Sequence, residues 1–234
     1  MTHRVHPFAH RLGILRDWRS RWFAHSGDYQ KFLRTDVLIR GFLKKALENM
    51  YVADIEIERP GKQLKITIKT SRPGLIIGRS GEGITKLKNE LDTFARKNAL
   101  VGAEQIKLEI EEVRSPESQA AIVGSMVKEG IEKRMPFRRV LKQTIEKVMA
   151  NRDVQGVRVH LSGRLGGADM ARREQMKRGR IPLQTFRADI DYAHVEAHIP
   201  QGQIGIRVWI YRGEVFNDAR NAGAPVEGRR PQEA

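Results

Sequence analysis

The stretch that most constrains this chain is Ile76-Ile77-Gly78-Arg79-Ser80-Gly81-Glu82-Gly83-Ile84. Two apolar residues run into a Gly-x-x-Gly turn, and the turn runs into an amphipathic helical pattern. Glycines three apart permit φ > 0 and leave no Cβ between the backbone and a ligand. The N–H groups that open the following helix then face a space where a phosphate is stabilised. Arg79, inside the turn, adds a full positive charge. The turn alone does not decide function, because Gly-x-x-Gly also serves as a plain connection between helices.

Its flanks give it a domain. Thr35 is a suitable N-cap for a helix beginning at Asp36, in which Ile39, Phe42, Leu43, Ala46, Leu47 and Met50 repeat at three and four. Val52 to Arg59 and Leu64 to Lys69 alternate apolar and polar residues around Pro60-Gly61, the signature of a hairpin. Pro73 starts a short helix that ends at the turn. The helix after it has Ile84, Leu87, Leu91, Phe94 and Ala95 on its apolar face, with Lys86 and Lys88 on the polar side. A third alternating strand carries Ile106, Leu108 and Ile110. The order α-β-β-α-turn-α-β predicts an α+β unit with a three-stranded sheet covered on one face.

Arg114-Ser115-Pro116 marks a boundary. Beyond it, Ile122, Val123, Met126, Val127 and Ile131 form one helical face, ending near Arg134. Pro136 opens a second helix with Phe137, Val140, Leu141, Thr144, Ile145 and Val148 buried. Lys133, Arg134, Arg138, Arg139 and Lys142 gather at the corner between these helices, with no acid between Lys133 and Lys142. Such a run is often only a solvated face, but its unrelieved repulsion favours a polyanion. A strand at Val157 to Leu161 then leads into a second glycine-rich loop, Ser162-Gly163-Arg164-Leu165-Gly166-Gly167-Ala168. The stretch 169–180 reads as helix or loop. From Arg164 to Arg187 there are seven basic and two acidic residues. Two last strands are expected to bury Phe186, Ala188, Ile190 and Tyr192, then Ile204, Ile206, Val208 and Ile210. The chain therefore divides into a basic arm, 1–34, an α+β domain, 35–113, a second α/β domain, 114–216, and an aperiodic tail, 217–234, expected to be disordered.

Charge points to the partner. Of 234 residues, 43 are Lys or Arg and 28 are Asp or Glu, a net charge of +15. That surplus suits nucleic acid. No run approaches 18 apolar residues, and the first residues lack the apolar core of a secretory signal, so no membrane role is expected. The absence of cysteine removes disulfides, thiolate metal sites and cysteine nucleophiles and is compatible with a reducing compartment. The surplus is uneven: +5 over residues 1–34, +2 over 35–112 and +8 over 113–234. The turn thus lies in the least basic third. In the arm, Arg4, Arg11, Arg16, Arg19 and Arg21 alternate with Trp18, Trp22, Phe23 and Tyr29, which suits phosphates and bases; a poorly ordered terminus capping a neighbouring core is the alternative.

Neither glycine-rich loop ends in Gly-Lys-Ser/Thr, and neither completes a dinucleotide fingerprint. His194-Val195-Glu196-Ala197-His198 lacks the His-Glu adjacency of a zincin, and a strand there breaks the one-turn helical geometry. No catalytic, metal, cofactor or small-molecule site is expected.

With the corner Arg134-Met135-Pro136-Phe137-Arg138-Arg139 and the loop Ser162 to Ala168 in view, the sequence resembles the bacterial-type family of small-subunit ribosomal protein three. Matching stretches include Arg11-Leu12-Gly13-Ile14, Trp22-Phe23-Ala24, Ile57-Glu58-Arg59-Pro60, Arg72-Pro73-Gly74, Arg187 to Tyr192 and Val208-Trp209-Ile210. Phe8-Ala9-His10 departs from the family's usual Asn-Gly-containing turn. The resemblance implies a type II KH domain, whose Gly-x-x-Gly clamps nucleotide backbone, followed by an α/β two-layer domain. It also implies a cytoplasmic protein in the head of the small ribosomal subunit, bound to small-subunit rRNA and mRNA beside ribosomal proteins ten and fourteen. On that reading the KH contact falls on Gly78, Arg79, Ser80, Gly81, Lys86 and Lys88. The channel through which mRNA enters falls on Lys133, Arg134, Arg138, Arg139 and Lys142. Contacts to rRNA are expected at Arg4, Arg11, Arg164, Arg172, Arg173, Lys177, Arg178 and Arg180. A free-standing KH regulator and an RNA-processing enzyme are the alternatives.

Overall fold

A computed structural model describes residues 5–61, 63–98, 100 and 105–216. Two four-stranded sheets, each with helices on one face, follow one another along the chain. In the first, strands β2 (Val52–Glu58) and β3 (Gln63–Thr70) form the expected antiparallel hairpin. Strand β4 (Gln105–Glu112) runs parallel to β3, with Ile66 opposite Leu108. Alternation sends Ile55, Ile57, Leu64, Ile66, Ile68 and Ile106 into one core. Helix α2 (Ser26–Ala46) covers them with Ile39 and Leu43, and helix α4 (Glu82–Lys97) with Leu87, Leu91 and Ala95. Ile84 and Phe94, expected in the core, are only half-buried. Charges cross the opposite face as strand-to-strand pairs, Lys65 to Glu109 at 2.9 Å and Lys69 to Glu56 at 2.7 Å.

This sheet has one strand more than the sequence predicts. Strand β1 (Ser20–Arg21), from the arm, pairs parallel to β2. Arg40 holds it from α2 by donating to the Arg19 carbonyl and the Ser20 hydroxyl, both at 2.8 Å. Helix α2 also starts nine residues before Thr35. Thr35 is inside it, with Oγ1 donating back to the Lys31 carbonyl at 2.9 Å rather than capping an end. The longer helix puts Asp36 where its carboxylate accepts from Trp22 Nε1 and Arg59, each at 2.7 Å. The Trp22 ring is therefore committed to the first domain and is not presented to RNA bases.

In the second domain, helices α5 (Ala120–Glu132) and α6 (Phe137–Ala150) pack on one face of an antiparallel sheet. Its strands are β5 (Gly156–Gly163), β6 (Arg172–Gly179), β7 (Ala188–Ile199) and β8 (Gly202–Glu214), in the order β6-β5-β8-β7. Gly130 lets the helices cross closely, since a Cβ there would sit 3.1 Å from Val140. The stretch read as helix or loop contains strand β6. Its polar residues carry little period, and pairing decides it: Arg172 to Gly179 match Gly163 to Gly156 residue for residue.

The last strands also bury two faces, not one. Ile204, Ile206, Val208 and Ile210 lie under the helices. Ala188, Ile190, Trp209 and Tyr211 form a separate cluster, because Ile190 is opposite Tyr211 and Tyr192 opposite Trp209. Phe186 precedes β7, is exposed, and stacks on His10 with ring centres 4.1 Å apart.

The arm covers that cluster's end of the sheet. After the short helix α1 (Pro7–His10), Arg11 is fully buried. It donates to the carbonyls of Ala188 (2.6 Å), Pro7 (3.0 Å), Leu183 (3.0 Å) and Thr185 (2.8 Å). Arg16 pairs with Asp189 at 2.7 Å, and the His6 ring meets Tyr192 edge-on. The arm thus straps both sheets. Side chains of α5 also reach the first domain, where Lys128 binds Glu48 and Glu129 accepts from the Tyr51 hydroxyl.

Candidate nucleic-acid interface

Helix α3 (Pro73–Ile77) stops at Gly78, whose φ of 69° is the left-handed conformation that glycine adopts without penalty. Ser80 and Gly81 continue left-handed at φ 50° and 81°, and α4 begins at Glu82. Gly83 is required by contact instead: a Cβ there would sit 2.4 Å from the Ile76 carbonyl oxygen. The two helices therefore touch through bare backbone. Gly78, Arg79 and Ser80 are exposed, Gly81 partly so, and Lys86 and Lys88 project from α4 into solvent. Two apart on a helix, these lysines face different ways. Lys86 borders an open groove of about 780 Å³ between α2 and α4, lined also by Ser80, Phe42 and Phe94. Glu82 occupies the first turn of α4, offsetting part of the charge of Arg79.

The α5–α6 corner is more strongly charged. Lys133 to Pro136 turn the chain, with Arg134 left-handed at φ 57°. Lys133, Arg134, Arg138, Arg139 and Lys142 are all exposed. Lys133 pairs with Glu129 at 2.5 Å and Arg138 reaches Glu174 at 3.4 Å. Among the described residues Arg134, Arg139 and Lys142 have no acidic partner within bridging distance. Glu129 is held below the usual carboxylate range by its hydrogen bond from Lys133 first and that from Tyr51 second. It remains charged near neutrality and neutralises one lysine only. The second glycine-rich loop adjoins this corner, with Gly166 facing the Phe137 ring.

The structure sorts the remaining basic residues into different places. Arg172 leans on Phe137, 5.2 Å from the ring centre, and so extends the corner. Arg178 shares the helix-side parity of β6 with Arg172, whereas Arg173 and Lys177 emerge on the opposite face. Arg180 is exposed just past the strand. Arg164 is occupied within its own loop, donating to the carbonyls of Ala168 (2.9 Å) and Gln201 (3.3 Å) and to Asp169 (3.2 Å). Arg11, expected on RNA, is instead buried with four carbonyl partners and offers nothing to a phosphate. Arg4 lies outside the described residues, as does the tail, 217–234. Arg158 and Arg207 escape the sequence reading, because each stands singly within an apolar alternation. Only strand pairing puts Arg158 beside Lys177 and sets Arg207, one strand further along the sheet, on the same face.

Among the described residues, no group of three His, Asp or Glu is placed to hold a metal, and no helix is long and apolar enough to cross a membrane. Residues 38–118 match the family described as KH domain, and residues 127–210 match Ribosomal protein S3, C-terminal domain. The small ribosomal subunit protein uS3 of Caldicellulosiruptor saccharolyticus is 45% identical over 216 residues, covering 92% of this chain and 94% of its own length. That of Alkalilimnicola ehrlichii is 43% identical over 230 residues, 98% of each chain. The chain belongs to the uS3 family. The uS3c protein of Porphyra purpurea, 40% identical over 220 residues, 94% of this chain and 93% of its own, extends the likeness. The uS3 proteins are structural constituents of the small ribosomal subunit, not enzymes.

Proposed function

We propose that this chain is built into the head of the small ribosomal subunit, where it binds rRNA and grips mRNA at the channel through which mRNA enters. The observation that carries the mRNA reading is the α5–α6 corner. Five exposed cations converge there, and among the described residues Arg134, Arg139 and Lys142 have no acid within bridging distance. Such a surface attracts phosphates without reading sequence, which suits a message that must slide. Its contribution to unwinding is passive, by holding single strands as they separate. The Gly78–Gly81 turn contacts nucleotide backbone or a ribosomal neighbour, and of the remaining basic residues Arg173, Lys177, Arg178 and Arg180, exposed and without an acidic partner among the described residues, are the ones left to contact rRNA. Ribosomal proteins ten and fourteen are its expected neighbours, on family resemblance.

Two measurements test this. In a sedimented cell extract the chain is expected to co-migrate with small subunits; a free pool that selects particular RNAs favours a KH regulator instead. Arg138→Ala with Arg139→Ala is expected to leave the fold and assembly intact while slowing passage through structured mRNA. Unchanged passage removes the corner from the channel.

A further inference from the structure

A cleft of about 330 Å³ lies where the two domains meet. The first domain supplies Tyr51 and Arg72, and helices α5 and α6 with the turn between them supply most of the rest. Its first-domain wall is held in place. Tyr51 has φ 51°, a left-handed conformation that bulky residues rarely adopt, and its hydroxyl donates to Glu129. The Arg72 guanidinium lies over the Tyr51 ring, 4.5 Å from its centre. Met126, Met135, Val140 and Val148 give the cleft an apolar side. The charges around it do not cancel. Glu129 is matched to Lys133 at 2.5 Å, whereas among the described residues Arg72 and Lys147, both exposed, have no acidic partner within bridging distance. Glu117, half-buried at the same cleft, has no hydrogen-bond or ion-pair partner for its carboxylate among the described residues. Thr144 is only 7% exposed, and its hydroxyl donates to the Val140 carbonyl at 2.8 Å, which leaves its lone pairs free to accept.

We propose that this cleft between the domains binds a free mononucleotide, a use separate from the grip on RNA at the α5–α6 corner. Charge selects one end of the ligand. Arg72 and Lys147 are two unmatched cations, and charge-assisted hydrogen bonds from such groups hold a dianionic phosphate. The apolar side selects the other end, because the thioethers of Met126 and Met135 make favourable contacts with flat aromatic rings such as a base. Glu117 supplies the link between them, since a carboxylate without a donor accepts from ribose hydroxyls. Size selects a single unit over a strand. The cleft has less than half the volume of the open groove between α2 and α4, and it stands at the lower limit of small-molecule pockets. Arg72 and Lys147 belong to different domains, so a bound phosphate also ties the two domains together.

The test titrates the full-length chain with AMP, GMP, CMP and UMP, with their 2′-deoxy forms and with inorganic phosphate, reading affinity by calorimetry. Saturable binding of at least one mononucleotide, tighter than that of inorganic phosphate, is expected. Arg72→Gln with Lys147→Gln changes only exposed side chains, so the fold is retained, and it should weaken that binding at least about tenfold by removing both charged donors. Glu117→Ala should narrow the preference for ribose over 2′-deoxyribose. A ligand that ties the domains also raises the melting temperature of the unaltered chain, and the double variant should lose that rise. The proposal is overturned by the absence of saturable binding, by equal affinity for inorganic phosphate, or by full affinity in the double variant. Displacement of the bound mononucleotide by a single-stranded oligonucleotide overturns it too, because the cleft then belongs to the path of RNA. Mononucleotide affinity and passage through structured mRNA are separate readouts, so this proposal and the mRNA reading can each fail without the other.

Discussion

The Nε of Arg11 donates to the carbonyl of Ala188 at 2.6 Å, joining residues 177 apart in sequence. A guanidinium that answers four carbonyls in a buried site uses its planar fork as a structural plug. Arg11→Ala should destabilise the chain by roughly 2–4 kcal/mol, because the carbonyls of Ala188, Leu183 and Thr185 lose charged donors. Arg11→Lys should recover only part of that, since an ammonium cannot reproduce the fork. Denaturant midpoints measure both. RNA affinity measured on the folded fraction should not change.

Arg59 and Asp36 form the other buried anchor of the arm, with side chains 5% and 4% exposed and 2.7 Å between them. Replacing Asp36 with Ala leaves the Arg59 charge in a poorly hydrated site and also deprives Trp22 of its acceptor. A loss of about 3–5 kcal/mol is expected, together with a shift in tryptophan fluorescence as Trp22 comes free. A stable variant with unchanged emission would show that the arm is held elsewhere.

Gly83→Ala and Gly81→Ala separate two reasons for glycine at the turn. At Gly83 the new methyl would meet the Ile76 carbonyl at 2.4 Å, a backbone clash that must push α3 and α4 apart. At Gly81 the space is open and only the left-handed φ of 81° resists. The first substitution should cost more than the second, whose penalty is about 1–2 kcal/mol. Thermal denaturation of the two variants ranks them.

The contact between domains should weaken in acid. Glu48 is held below the usual carboxylate range by hydrogen bonding and charge attraction from Lys128, and Glu129 chiefly by Lys133 and then Tyr51. Both glutamates bind protons less readily folded than unfolded. Their contribution is therefore fully present above the unfolded value of about 4.3 and is lost as pH falls through the lower folded values. Glu48→Gln with Glu129→Gln should flatten the dependence of melting temperature on pH in that window. Both side chains are partly solvated, so the effect will be modest.

Periodicity by itself was enough to place β2, β3, β4, α4, α5, α6 and β5, because each has an apolar face whose spacing matches one backbone geometry. The two glycine-rich loops and the uninterrupted cations from Lys133 to Lys142 were equally legible, being local in sequence. The Gly-x-x-Gly turn identified a domain, while the charge count assigned most of the basic surface to the other. Tertiary structure decided the rest. Strand β6 has almost no hydrophobic period and exists through its hydrogen bonds to β5. Arg11 and Trp22 look like RNA ligands in a basic arm, yet partners far along the chain bury one and tether the other. The grouping of Arg158 and Arg207 with Lys177 follows from strand register. Local spacing determines which face of an element is apolar, and only pairing between distant segments determines which charges share a surface.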